Sequence, residues 1–93
     1  MIVGALRLEL HVPEAQSLKD KRSAVTRLKE QMRSRFNVAV AEVDANDKWQ
    51  RATVAVSTVG DNAARVEATL RQVTDWARMG RGIVLITVEQ ECW

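Results

Sequence analysis

The chemistry this sequence can offer is concentrated in one stretch. Between Ser17 and Arg35 stand Lys19, Lys21, Arg22, Arg27, Lys29, Arg33 and Arg35, against only Asp20 and Glu30. That segment carries +5 in a chain whose total is +2, so the remainder carries −3. On a helical wheel Lys29, Arg22, Arg33 and Lys19 fall within about 80° of one another. A strip of this kind, on a helix about 28 Å long, can track several phosphates of a nucleic acid. The same pattern is what an ordinary solvated helix face presents, and both readings stand at this point.

Lys21 is different in kind. It lies angularly between Leu18, Val25 and Leu28, inside the apolar stripe, so it must snorkel past a sheet edge or find a carboxylate. Asp44 and Asp47 are the expected partners. Trp49 either stacks on a base or closes the end of a core. His11 and Glu9, two apart, have the spacing of an acid–base pair, but on a strand that is ordinarily a surface pair. Only Pro13–Ser17 precedes the basic stretch, and this segment has no glycine-rich turn to cradle phosphate. One histidine and one distant cysteine, Cys92, cannot make a structural zinc site, and no iron–sulfur spacing exists. The expectation is a non-enzymatic protein with no cofactor and no metal.

The elements that must position these groups can be read from periodicity. Leu6, Leu8, Leu10 and Val12 alternate with Arg7, Glu9 and His11, which predicts a half-buried strand ending at Pro13. Ser17 reads as a helix N-cap with Asp20 three residues on, and Leu18, Val25, Leu28, Met32 and Phe36 form one stripe of a helix to about Arg35. Residues 37–44 read as a second strand, 45–48 as a turn, and 49–58 as a third strand with Ala52, Val54 and Val56 on one face. Asp61 reads as the N-cap of a second helix with Val66, Leu70, Val73 and Ala77 inward, and Gly80 as its stop. Residues 83–89 read as the last strand, and Glu91–Trp93 as a short tail.

The order βαββαβ, with two right-handed crossovers around a hairpin, predicts an α+β, ferredoxin-like sandwich. Its four-stranded antiparallel sheet has the order 4-1-3-2 and carries both helices on one face. One end of the molecule should then gather Lys21, His11, Asp44, Asp47, Lys48, Trp49 and Arg81 beside the free N–H groups opening the first helix. The candidate anion-binding set is therefore Lys19, Lys21, Arg22, Lys29, Arg33, Lys48, Trp49 and Arg81. The open sheet face should show Val3, Ala5, Arg7, Glu9 and His11 beside Arg51, Thr53, Ala55 and Ser57. It has no aromatic on its central strands, which argues against base stacking there. Val3, Ala5, Arg7 and Ala55, with Gln50, instead make a candidate surface for a second copy or a protein partner. Trp76 is expected between the helices.

Ninety-three residues make a single domain spanning 1–93. With 46% apolar and 28% charged residues the chain should fold rather than stay disordered. A lone cysteine fits a reducing compartment. No apolar run spans a bilayer, and Met1 leads directly into a strand-like segment, so a soluble cytoplasmic protein without leader or anchor is expected.

Three stretches carry a resemblance: IVGALRLELHVPEAQSLKDKR at 2–22, RFNVAVAEVDANDKWQRA at 35–52, and the closing tryptophan. With them the chain resembles the YlxP-like family of small bacterial proteins, catalogued as a domain of unknown function. The likeness covers nearly the whole chain and is least marked from about Arg78 to Ile83. It implies a ferredoxin-like fold and no established activity, cofactor or substrate. The family's usual gene neighbourhood, among translation and ribosome-maturation factors, implies an RNA or ribosome partner. A homodimeric interaction module without nucleic acid is the alternative, and a small-ligand regulatory domain a third, from fold analogy.

Overall fold

The computed structural model describes residues 1–44, 48, 50–80 and 82–93. Expectations placed on Asp47, Trp49 and Arg81 lie outside these residues. The order is β1 (Ile2–His11), α1 (Leu18–Arg35), β2 (Ala39–Glu42), β3 (Arg51–Gly60), α2 (Ala63–Arg78) and β4 (Val84–Cys92). All neighbouring strands are antiparallel, in the sheet order β2-β3-β1-β4, which is the expected 4-1-3-2 read from the other edge. The core lies between the sheet and the helices. β1 contributes Leu6, Leu8, Leu10 and Val12, and β3 contributes Ala52, Val54 and Val56. From the helices come Val25, Leu28 and Met32 of α1, and Val66, Leu70 and Val73 of α2.

Alternation in β1 fixes the register. Leu6 lies opposite Val56 and Leu8 opposite Val54, both pairs facing the helices, whereas Arg7 opposite Ala55 and Glu9 opposite Thr53 face away. A one-residue slip would bring Arg7 and Glu9 into the core, so that pairing does not compete. Gly4 is needed for close approach: a Cβ there would come within 2.5 Å of Val66 Cγ1 and 2.8 Å of Leu70 Cδ1. α2 therefore rests directly on the sheet at this point. Farther along α2, Trp76 packs edge-to-face on Phe36 at 6.2 Å and lies under the Arg35 guanidinium, filling the space between the helices as expected.

Several boundaries differ from those expected. β3 continues to Gly60, so α2 starts later, and Asn62 rather than Asp61 is its N-cap: Asn62 Oδ1 accepts from Arg65 N at 2.9 Å. β2 is shorter than 37–44 because the Asn37 carbonyl accepts from Thr58 Oγ1 at 2.9 Å instead of continuing a ladder. β4 runs to Cys92, past the expected end at 89, and Trp93 exchanges both backbone hydrogen bonds with Val3 at 2.7 and 2.8 Å. The expected tail is thus part of the sheet. A register shift opposite Glu9 and Leu10 leaves Ile86 as an extra residue in β4. No helix among the described residues is long and apolar enough to cross a membrane.

Candidate anion-binding face on the first helix

The face is set by how α1 starts and what it buries. Ser17 Oγ accepts from Asp20 N at 3.1 Å, satisfying one orphan donor of the first turn. Asp20 Oδ2 accepts in return from Gln16 N at 3.0 Å, which holds the chain entering the helix. Lys21, Val25, Leu28 and Met32 turn toward the sheet. At 3.6 residues per turn this sends Lys19, Arg22, Ser23, Thr26, Arg27 and Glu30 to solvent. Those six line one shallow, open surface along the helix.

Two cations elsewhere in the described chain, Arg7 and Arg65, have carboxylate partners. Arg7 pairs with Asp44 and, at 3.4 Å, with Glu9. The hydrogen bond and charge of Asp44 raise the Arg7 pKa above its already high ordinary value; partial desolvation opposes this, and Glu9 and Glu89 add to it. Arg65 lies 3.6 Å from Asp61. By contrast, Lys19, Arg22, Arg27 and Lys29 make no ion pair with any described carboxylate. Lys19, Arg22 and Arg27 are exposed, and Lys29 is partly covered.

Other predicted site residues have different surroundings. Arg33 donates to the Val40 carbonyl at 2.7 Å, closing an unpaired group on the outer edge of β2. Lys21 is 4% exposed, and its Nζ lies 4.0 Å from Glu42 Oε2. Glu42 replaces Asp44 because it lies opposite Val54, on the helix-facing side of the sheet, whereas Asp44 turns to Arg7 on the other side. Lys48 is exposed beside the start of β3, where its carbonyl accepts from Arg51 N at 3.3 Å. The Gln50 carbonyl accepts from Val12 N at 2.8 Å and lies 3.1 Å from His11 Nδ1. Its side chain reaches the Pro13 and Ala15 carbonyls at 3.4 Å. The start of β3 and the approach to α1 therefore meet, as the topology predicts. Val3, Ala5, Arg7 and Ala55 sit on the open sheet face, with Arg7 in a charge cluster there.

Arg27 belongs to the exposed cation set but was outside the four-residue strip, because angular spacing alone does not tell which flank of a helix stays open. Among the described residues no three His, Cys, Asp or Glu side chains converge to hold a metal ion.

These features define a small ferredoxin-like domain whose first helix carries a run of cations without ion pairs to described carboxylates. The chain belongs to the family described as Protein of unknown function (DUF503), which matches residues 3–90 and so includes the Arg78–Ile83 stretch. It is 29% identical over 72 residues to the Uncharacterized protein YlxP of Bacillus subtilis (strain 168), covering 77% of this chain and 78% of that protein.

Proposed function

We propose that this is a non-enzymatic, cytoplasmic binding protein that takes up the phosphate backbone of RNA, free or within the ribosome, on the exposed face of α1. The observation that carries the reading is the set Lys19, Arg22, Arg27 and Lys29, without an ion-pair partner among the described residues. Lys19 and Arg22 stand near the positive end of the helix dipole, where cations are disfavoured, and Lys29 and Arg33 repel each other one turn apart. Each arrangement costs a few tenths of a kcal/mol or more in the free protein. Phosphates along the face would relieve both. Affinity capture of the protein from native lysate, with and without nuclease, tests this. RNA should be recovered with the native protein and lost for the Lys19→Glu/Arg22→Glu double variant. Equal recovery by the two proteins contradicts it.

A second reading is favoured by the open sheet face, where Val43 and Val59 are 44% and 61% exposed beside Ala5 and Ala55. Two copies would cover these residues by packing face to face. Sedimentation at two protein concentrations should then show a dimer that Ala5→Glu dissociates; a native monomer excludes it.

A further inference from the structure

We infer that the groove that α1 forms with Gly80, Gly82 and Ile83 is a slot for one unpaired nucleobase of a single-stranded RNA held on α1. This rests on the α1 reading and deepens it by naming the kind of strand.

The groove has a volume of about 460 Å³, within the range of about 300–1,000 Å³ typical of small-molecule sites. Its floor is aliphatic: Val12, Ala15, Leu28 and Ile83 are among its lining residues and each is less than one-tenth exposed. Gly80 and Gly82 line it as well, at φ +88° and +84°, and a Cβ on either would meet nothing within 4 Å. Gly80 is explained by the helix stop. Gly82 has a second left-handed backbone conformation, which itself calls for glycine, and adds no side chain of its own to the lining.

Polar groups at the groove divide by charge in a useful way. Glu14 and Asp20 line it and would repel phosphate, but their oxygens can accept from the amino and imino edges of a base. Arg27 lines both this groove and the solvent-facing surface that it shares with Lys19 and Arg22. A ligand with an apolar planar body, hydrogen-donating edges and an anionic arm fits this division. That is a nucleotide unit with its base inward and its phosphate at Arg27. A strand continuing from it would cross α1 over Arg22 and Lys19. In a duplex the base faces are stacked and the edges paired, so only an unpaired strand can fill the slot.

The test uses fluorescence anisotropy at one salt concentration with three labelled RNAs of equal length: a single strand, the same strand in a duplex, and an abasic ribose-phosphate strand. The native protein should bind the single strand about tenfold more tightly than the abasic strand or the duplex, the change expected from burying one base against an aliphatic floor. Ala24→Leu, which narrows the groove from a partly buried position outside the solvent-facing cation surface, should weaken that preference while leaving abasic-strand affinity unchanged. Equal native affinity for the single and abasic strands overturns the slot but leaves phosphate binding by α1 standing. Failure to bind all three overturns both. The native comparison does not depend on whether the variant folds.

Discussion

At the scale of single residues, Lys21 shows what tertiary pairing does to a sequence pattern. Its position in the apolar stripe was legible from spacing alone, as was its need for a partner. That Glu42 is a partner was not, because the end of β2 decides it: Glu42, the last residue of the strand, faces the helices, while Asp44, beyond the strand, pairs with Arg7 on the other side. The Lys21 side chain is 5% exposed and that of Glu42 28%, so the two halves of the pair are unequal. Removing the carboxylate takes a counter-charge from an ammonium that water barely reaches, whereas removing the ammonium leaves a carboxylate still hydrated. Glu42→Leu should therefore destabilise the protein by about 1–3 kcal/mol, and Lys21→Met by less. Urea denaturation of both variants measures the difference; a larger loss for Lys21→Met contradicts the assignment. Arg33 is a similar case. Its angular position was readable, but its bond to the Val40 carbonyl depends on β2 being an edge strand, which only the assembled sheet determines.

At the scale of elements, alternation in β1 and the stripe of α1 were legible because burial repeats with the period of each structure. The start of α2 was not, because Gly60, Asp61 and Asn62 are all residues that favour such a position and only the length of β3 selects among them. Asn62→Ala should cost about 1 kcal/mol by losing the bond to Arg65 N, and Asp61→Ala only a few tenths. Thermal melts of the two variants separate the cap from its neighbour, and the reverse order would restore Asp61 to that role. The close seat of α2 is tested at Gly4. A methyl group there must push Val66 and Leu70 away, so Gly4→Ala should lose about 1–3 kcal/mol despite occupying a strand where alanine is otherwise preferred. A neutral or stabilising result in chemical denaturation would show that α2 lifts without cost. The groove was invisible in the sequence for a related reason: its lining comes from the end of β1, one flank of α1 and the segment before β4, which only folding brings together.

At the scale of the whole molecule, charge is divided between the first helix and everything else. The 17–35 segment holds +5 and the remainder −3, and Glu9, Asp44, Glu89 and Glu91 are concentrated around the open face of the sheet. Such a division steers an anionic chain toward α1 and away from the sheet, with a range set by the Debye length, about 8 Å at physiological ionic strength. The measurement that bears most directly on this is the affinity for a short single-stranded RNA as a function of salt. Four cations meeting phosphate give a slope of log K against log salt of about −3, falling to about −1.4 for Lys19→Gln/Arg22→Gln. A native slope near zero, or one that the double substitution leaves unchanged, would show that the cations of α1 face only water.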